Sequence, residues 1–336
     1  MSTAVINSSR PNQEASGGTE EGHSAELGVN NRYEVREPLV SVAHRLNHGR
    51  FQLIDILQCG AFGQLWLARD TNTYEDVVAK VEFLHGTTLQ STLPLEAALM
   101  FDMSGHSSHV LPLLADGRLQ RSDGRTLGYL IMPRAGPDLA QLQKSAPDKL
   151  FTAGTAFRLA IQQVRAVQDL HARGWLHRDI KPSNFCIDQR NVCSPRNLLV
   201  YVIDFGMAGR WMDADGFHRE KRYAAGFYGS LPYAPLSTHR NEDIARRDDL
   251  WSVLYTVLSF VEHLPWQHLK RNDTPAVKEQ HTPQMVKKYN ALKFMHDSLS
   301  RINFYEEPKY HEIIREFRYD LVHAGISDRT LLDWHY

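Results

Sequence analysis

The sequence contains few cysteines, almost no net charge and no long apolar segment. Its 336 residues include 3 cysteines, an odd and small number that argues against a disulfide framework and favours a reducing compartment. The formal net charge of −1 provides no overall field to attract nucleic acid or anionic lipid, so neither is an expected partner. The most apolar stretch, Leu250 to Val261, is interrupted by hydroxyl side chains and is too short to span a bilayer. It predicts a buried helix.

Targeting signals are also missing from the first residues. The start lacks the basic and apolar regions of a secretory signal, and Ser2 stands where N-myristoylation needs glycine. We therefore expect an intracellular monomer of the cytoplasm or nucleus, without membrane attachment. Residues 1–46 are rich in Ser, Gly, Asn and Glu, a composition that predicts a disordered tail. The folded domain is expected to span residues 51–336.

The pattern after the predicted tail changes from strand-like to helical. Short apolar runs separated by turn residues predict strands at 51–57, 65–68, 77–83, 110–114 and 127–132. Pro94 opens a helical stretch that Gly105 ends, and apolar residues recur at helical spacing after Gly136. Strands followed by helices indicate an α+β fold. Its small β-rich lobe would end near residue 134, and a larger helical lobe would follow from about residue 135.

Two glycines lie between the first two predicted strands. Gly60 and Gly63 would let the backbone approach phosphate oxygens, although Gln58 stands where a nucleotide-binding loop usually has its first glycine. A dinucleotide-binding fingerprint is excluded because this segment leads into a strand and not into a helix. On its own, the glycine pair indicates only a turn.

A lysine and a glutamate are candidates for a phosphate-binding ion pair. Strand alternation places Val78 and Lys80 on one face, and Glu96 lies on the helix that Pro94 opens. A lysine held by that carboxylate could bind phosphate oxygens. Taken alone, the two residues favour the simpler interpretation of an edge-strand lysine and a surface glutamate.

The segment from His177 to Asn184 is the most specific motif of the chain. It matches the catalytic loop of protein kinases, from its His-Arg-Asp start to its final asparagine. Asp179 would orient the substrate hydroxyl and accept its proton, and Asn184 would bind Mg²⁺. Lys181, two residues after Asp179, is typical of serine/threonine kinases.

A second metal ligand follows the catalytic loop. Asp204 begins an Asp-Phe-Gly tripeptide at the end of an apolar run from Leu198 to Ile203. A buried strand that ends in a carboxylate supplies the oxygen ligand that Mg²⁺ prefers. Histidine pairs elsewhere lack a convergent set of carboxylates or cysteines and make poor metal sites. Together the motifs supply a cation, two metal ligands, a base and a phosphate cover, which phosphoryl transfer requires.

These motifs resemble the casein kinase I group, and most closely its tau-tubulin kinases. The resemblance covers residues 51–336 and rests on the catalytic loop continuing to Phe185. It also rests on the segments Ala225 to Phe227, Arg247 to Ser252 and Leu264 to Trp266. It implies a bilobal protein-kinase fold, ATP and Mg²⁺ as cofactors, and Ser or Thr hydroxyls of protein substrates as acceptors.

The resemblance implies roles for further residues. Asp249 would support the catalytic-loop backbone, and Ser230 would contact Asp179. Pro133 would offer its carbonyl to adenine and Ala135 its N–H group. The residues that would surround ATP are Leu57, Gly60, Gly63, Leu65, Val78, Lys80, Met132, Pro133, Ala135, Cys186 and Ile203.

The chain departs from that group in the segment that follows Gly206. Tyr228 and Pro232 stand where the group commonly has arginines, which favour substrates that are already phosphorylated. A preference for such substrates therefore does not carry over to this chain. The nearby Arg219, Lys221 and Arg222 could partly replace those arginines, but a solvated charge run is the favoured interpretation. Relatives in the group are generally active without phosphorylation of this segment, so constitutive activity is expected.

Two functions fit these observations. The first is an active serine/threonine kinase, and the second is a kinase-fold scaffold that is weak or inactive and acts by protein binding. Degenerate kinases usually lose the strand lysine, the base or the metal aspartate. Here all of these are present, so activity is favoured.

Overall fold

The computed structural model describes residues 37–60, 63–84 and 91–335, and it confirms the predicted α+β architecture. The strands are β1 (Arg45–Leu46), β2 (Phe51–Cys59), β3 (Gly63–Asp70), β4 (Asp76–Phe83), β5 (Ala115–Gln120), β6 (Thr126–Pro133), β7 (Trp175–Leu176), β8 (Phe185–Ile187), β9 (Val200–Val202) and β10 (Gly209–Arg210). The helices are α1 (Leu93–Met103), α2 (Leu139–Ser145), α3 (Ala153–Ala172), α4 (Leu236–His239), α5 (Arg246–Val261), α6 (Thr274–Val286), α7 (Asn290–Arg301) and α8 (Tyr310–His323). A six-stranded sheet in the order β1-β2-β3-β4-β6-β5 forms the first lobe. Helices dominate the second.

Alternation along the sheet separates a packed face from a cleft face. Side chains such as Trp66 and Ala79 are buried in one apolar cluster on the packed face. Leu65, Val78 and Lys80 point the other way and are only partly buried. The register pairs Leu65 with Lys80 and Val78 with Met132, so these residues form one patch on the cleft face.

An N-terminal segment of residues 37–46 packs on the sheet. Leu39 and Val40 are buried in the apolar cluster of the packed face. The Gln64 side chain accepts a hydrogen bond from Leu39 N–H at 2.8 Å and donates one to the Glu37 carbonyl at 2.8 Å. The predicted end of the tail at residue 46 is therefore too late, because two adjacent apolar residues anchor a segment whose average composition is polar. Residues 1–36 of the predicted tail lie outside the described residues.

Helix α5 forms the centre of the second lobe and confirms the buried helix predicted from Leu250 to Val261. It packs against α3 and α7, and its residues from Leu250 to Phe260 are almost all buried. The hydroxyl groups of Ser252 and Ser259 donate to carbonyl oxygens of the helix itself, at 3.3 and 2.6 Å. These bonds satisfy the two serine hydroxyls inside an apolar environment.

Several elements differ from the sequence prediction. Residues 110–114 do not form a strand of the sheet: Val110 makes only an isolated bridge with Val202, and β5 begins at Ala115. Val110 and Leu111 pack into the helical core, so their apolar character reflects burial and not strand pairing. Helix α6 was not predicted because Pro283 lies inside it and its apolar residues form no clear stripe. Within the described ranges, no helix is both long and apolar enough to cross a membrane.

Candidate active site

Lys80 and Glu96 form an ion pair between the sheet and helix α1. Lys80 Nζ lies 2.7 Å from Glu96 Oε1 and 2.9 Å from Glu96 Oε2. Helix α1 has Pro94 in its first turn and brings Glu96 to the cleft face of β4. Thr92 Oγ1 donates to Glu96 Oε1 at 2.7 Å and fixes the orientation of the carboxylate. Of the two interpretations left open by the sequence, the structure supports the ion pair.

Lys80 faces three carboxylates. Asp204 Oδ1 lies 3.4 Å and Glu82 Oε1 lies 3.5 Å from its ammonium group. Burial would lower the pKa of Lys80, but Glu96, Asp204 and Glu82 raise it above the ordinary value. Lys80 is therefore charged at any physiological pH. The surplus of negative charge around it suits the addition of a cation.

Glu82 was not identified from the sequence. It lies two residues after Lys80 on the same strand face, and its side chain is almost completely buried. Burial raises the pKa of Glu82, against the opposing effect of Lys80. Ser91 Oγ donates to its Oε2 at 2.8 Å. The period of a strand was the available signal, since residues i and i+2 share a face.

Gly63 is required where β3 begins. A Cβ atom at this position would lie 2.1 Å from the Val81 carbonyl oxygen and 2.6 Å from Glu82 Cγ. Gly60 has more room, and its N–H donates to the Gly63 carbonyl at 2.9 Å. Gly63 thus allows close strand packing, whereas Gly60 closes a turn. The tip of the loop, residues 61 and 62, is outside the described residues.

The catalytic loop, residues 177–184, surrounds Asp179 with hydrogen-bond donors. Lys181 Nζ donates to Asp179 Oδ2 at 2.6 Å, and Ser230 Oγ donates to Asp179 Oδ1 at 2.9 Å. Lys181 also donates to Ser230 Oγ at 3.1 Å. Asp179 is buried and points toward the segment that includes Ser230. A carboxylate oriented in this way can accept a proton from a hydroxyl group placed beside it.

Asp249 holds the backbone of this loop from helix α5. Its carboxylate accepts hydrogen bonds from His177 N–H at 2.8 Å and Arg178 N–H at 2.9 Å. His171 Nε2 lies 3.0 Å from the same carboxylate. Burial would raise the pKa of Asp249, but these partners lower it, so the buried group stays ionised. Asp249 therefore occupies the supporting position that the resemblance implied.

Asn184 and Asp204 supply oxygen atoms suited to a hard cation. Asn184 Nδ2 donates to the Asp179 carbonyl at 2.9 Å, which orients the amide group. Ile203 N–H donates to the Asn184 carbonyl at 3.0 Å and joins the two segments. Asp204 has a φ of 64° and an exposed side chain. Although the side chain is open to the cleft, the surrounding protein atoms remove part of its hydration and would raise its pKa; the charges of Lys80, His177 and Lys181 outweigh this effect and lower it.

The oxygen atoms of Asp204 and Asn184 fit Mg²⁺ better than they fit a metal ion whose ligands all come from the protein. Mg²⁺ is usually bound by one or two carboxylates together with phosphate and water oxygens. Asp204 and Asn184 match that pattern. Among the described residues there is no group of three or more His, Cys, Asp or Glu side chains that could hold a metal ion.

The residues expected around adenine lie on two sides of the cleft. Leu65, Val78 and Met132 belong to the sheet, whereas Cys186 and Ile203 come from β8 and the end of β9. Leu57 is more exposed, at 47%. Pro133 ends β6, and Ala135 follows two residues later. Burial, with a smaller effect of Asp138, raises the pKa of Cys186 to about 12, so this thiol is a packing group and not a nucleophile.

The charge run after Gly206 is not simply solvated. We call residues 207–235 the activation segment. Arg219 and Arg222 both pair with the buried carboxylate of Asp243, and Lys221 lies 3.1 Å from Glu242. The sequence interpretation was wrong for the two arginines, because their partner lies more than twenty positions away in the chain.

Comparison with known proteins gives consistent matches. A family model described as a protein kinase domain matches residues 51–329. The chain is 32% identical over 297 residues to a Dictyostelium discoideum protein named as a probable serine/threonine-protein kinase, covering 87% of this chain and 58% of that protein. It is 30% identical over 229 residues to the serine/threonine-protein kinase spe-6 of Caenorhabditis elegans, covering 68% of this chain and 58% of the relative.

A third relative is a Caenorhabditis elegans protein whose name assigns it provisionally to casein kinase I. The two chains are 26% identical over 223 residues, which is 66% of this chain and 63% of the relative. The matched part thus spans about three fifths of each of these three relatives.

Proposed function

This chain belongs to the protein kinase domain family, and from that premise we propose that it transfers the γ-phosphoryl group of MgATP to Ser or Thr hydroxyls of proteins. The observation that carries the proposal is the convergence of Lys80, Glu96, Asp179, Asn184 and Asp204 on one cleft. Serine/threonine kinases among its relatives support the same reaction.

In this mechanism Asp179 orients the acceptor hydroxyl and takes its proton. The hydrogen bonds from Lys181 and Ser230 hold the Asp179 carboxylate in one orientation. Lys181 Nζ also places positive charge where the transferred phosphoryl group would lie. Lys80, fixed by Glu96, binds phosphate oxygens of the nucleotide. Mg²⁺ held by Asp204 and Asn184 would neutralise phosphate charge.

The adenine ring would lie between the sheet and the floor formed by β8 and β9. Leu57, Leu65 and Val78 would cover it from above, and Cys186 and Ile203 from below. Met132 would limit the depth of the pocket, while the Pro133 carbonyl and the Ala135 N–H group would bind the adenine edge. Gly60 and Gly63 would place the backbone near the phosphates.

We further infer membership of the casein kinase I group, in its tau-tubulin kinase-like branch. The provisional casein kinase I relative supports the group. The segments Arg247 to Ser252 and Leu264 to Trp266 support the branch. The same proposal includes an intracellular, monomeric enzyme of the cytoplasm or nucleus. Its substrates in the cell would be proteins with acceptor Ser or Thr hydroxyls.

The decisive experiment compares wild-type protein with Asp179→Asn. Purified wild-type chain is expected to phosphorylate casein with MgATP, and Asp179→Asn is expected to lower kcat by at least about 100-fold, the effect of losing a general base. Asp116→Asn, at an exposed site on β5, is the matched control and should keep wild-type kcat.

The same preparation tests the scaffold alternative. If wild-type protein binds MgATP, shown by a nucleotide-dependent rise in melting temperature, but phosphorylates neither casein nor a peptide library, the scaffold function is favoured. Activity that survives Asp179→Asn would show that the base is wrongly assigned.

A further inference from the structure

One buried carboxylate anchors two arginines of the activation segment. The Asp243 side chain is 0% exposed and lies in the loop between α4 and α5. Its Oδ2 accepts a hydrogen bond from Arg219 Nη1, and its Oδ1 accepts one from Arg219 Nη2 at 3.0 Å. Arg222 contributes Nη2 at 2.9 Å and its backbone N–H at 2.9 Å. We call Asp243, Arg219 and Arg222 the clamp.

The charges of the clamp are fixed. Burial would raise the pKa of Asp243, but the hydrogen bonds from Arg219 and Arg222 lower it well below its ordinary value. The carboxylate therefore stays ionised, and two guanidinium groups share one negative charge. Several kinases order their activation segment through new contacts between arginines and a phosphate group. In this chain two arginines of the activation segment already pair with a carboxylate of the helical lobe.

A third arginine connects the clamp to the catalytic loop. Arg178 donates from Nε to the Met207 carbonyl at 2.6 Å and from Nη2 to the Ala208 carbonyl at 2.7 Å. Its guanidinium lies over the Tyr228 ring, 4.4 Å from the centroid. The pKa of Arg178 is lowered chiefly by burial and also by Arg222, so the arginines share one region.

The segment then runs directly to the catalytic base. Gly229, next to Tyr228, has a φ of 94°, and a Cβ atom there would lie 2.9 Å from the Arg178 carbonyl. Ser230, the following residue, donates to Asp179. Contacts therefore join Asp243 to Asp179: Arg222 pairs with Asp243 and hydrogen-bonds Tyr228, the Tyr228 ring packs on Arg178 of the catalytic loop, and two residues after Tyr228 the Ser230 hydroxyl donates to Asp179.

We propose that Asp243 is a positioning residue whose buried carboxylate orders the activation segment, so that Ser230 reaches Asp179 without any phosphate on the segment. This inference rests on the proposed kinase function. It assigns a regulatory property to particular residues: the arginines that could receive a phosphate already have internal partners.

The test uses the full chain and three substitutions. Asp243→Asn removes the charge while keeping the shape, and Asp243→Glu keeps the charge. Asp70→Asn is the matched control, because Asp70, at the end of β3, is also a buried aspartate and pairs with Nε and Nη2 of Arg50, the residue before β2. Each protein is treated with phosphatase before assay.

The clamp predicts a specific change in kinetics. Asp243→Asn should lower kcat on casein by about tenfold while KM for ATP changes less than about twofold, as expected when a coupled contact outside the nucleotide site is lost. Asp243→Glu should recover part of kcat, and Asp70→Asn should match the wild type. Limited trypsin digestion gives a readout independent of activity: cleavage after Arg219, Lys221 or Arg222 should be faster in Asp243→Asn than in the control.

The outcomes separate the two proposals. Wild-type kcat and wild-type trypsin resistance in Asp243→Asn would overturn the role of Asp243, and so would loss of wild-type activity after phosphatase treatment. If wild-type protein is inactive but Asp243→Asn is cleaved faster, the kinase proposal fails and the ordering role stands. Asp243→Asn could have a melting temperature far below that of Asp70→Asn. In that case the milder substitution Arg222→Gln is the deciding variant, and an unchanged kcat for it would contradict the inference.

Discussion

Two lysines of this protein, Lys80 partly buried and Lys278 fully buried, have opposite surroundings. Lys80 is 19% exposed in the cleft and faces the carboxylates of Glu96, Glu82 and Asp204. Lys278 is 0% exposed in helix α6, and within the described residues no carboxylate pairs with it. The pKa of Lys80 is raised by its partners, whereas burial lowers the pKa of Lys278 well below the ordinary value.

The partners of Lys278 explain its position. Its Nζ donates to the Leu231 carbonyl at 3.1 Å and to the Ala234 carbonyl at 2.6 Å, and it lies 3.3 Å from His239 Nε2. The Tyr255 ring is 4.5 Å away. Lys278 therefore fixes the end of the activation segment through neutral acceptors, while Lys80 pairs with carboxylates in an open cleft. The presence of carboxylate partners, and not burial alone, therefore distinguishes a ligand-binding lysine from a structural one.

Replacing the cleft lysine should produce the largest effect. Lys80→Met removes the cation that would stabilise the phosphates, and we expect kcat/KM for ATP to fall by about 10²- to 10³-fold, as when one preorganised donor to a developing charge is lost. Steady-state kinetics with casein measure this. Lys144→Met, on the exposed face of α2, is the control. A fall of less than threefold would contradict the assignment of Lys80.

Replacing the structural lysine should act on stability instead. Lys278→Met leaves the carbonyls of Leu231 and Ala234 without their donor, and we expect the free energy of unfolding to fall by about 2 kcal/mol, the effect of unsatisfied buried acceptors. Urea unfolding measures the change, with the exposed Lys288→Met as control. A stability equal to wild type would contradict this expectation, because it would show that removing a buried amine gains as much free energy as the lost hydrogen bonds cost.

Of the two lysines, only Lys80 could be predicted from the sequence as a functional residue. Lys80 and Glu96 were identified because the strand period and a helix opened by Pro94 are local patterns, and the motif around Asp179 is specific. Lys278 carried no signal, since its acceptors are backbone carbonyls more than forty positions away. Asp243 was missed because its arginine partners lie more than twenty positions away in the chain.

For the fold too, local sequence patterns were predictable and features that depend on distant contacts were not. The α+β order of elements was predictable from period and turn residues. The assignment of residues 110–114 to a strand failed because burial in the helical core produces the same apolar run as pairing in a sheet. Leu39 and Val40 were assigned to the tail because a composition average hides two anchoring residues.

The smallest predicted effect is a change in the pH dependence of stability near Lys278. His239 accepts the contact from Lys278, and burial, together with the positive charges of Lys278 and Arg271, lowers its pKa to about 3. An unfolded histidine has a pKa of about 6.5. Between these values the unfolded chain binds more protons than the folded one, so stability falls as the pH decreases from about 6.5 towards 3.

His239→Gln keeps a group that can accept a hydrogen bond from Lys278 but cannot be protonated. Between pH 7 and pH 6 the wild type should lose about 0.7 kcal/mol more stability than this variant, because one histidine no longer contributes to the linkage. Urea unfolding at the two pH values measures the difference, and His323→Gln, at an exposed position of α8, should behave like the wild type. His171 and His109 also have lowered pKa values and remain in every variant, so the loss of stability in acid should shrink but not vanish. Equal losses in the wild type and in His239→Gln would mean that the surroundings of Lys278 tolerate a charged histidine, and the contrast with Lys80 would then rest on hydrogen bonding alone.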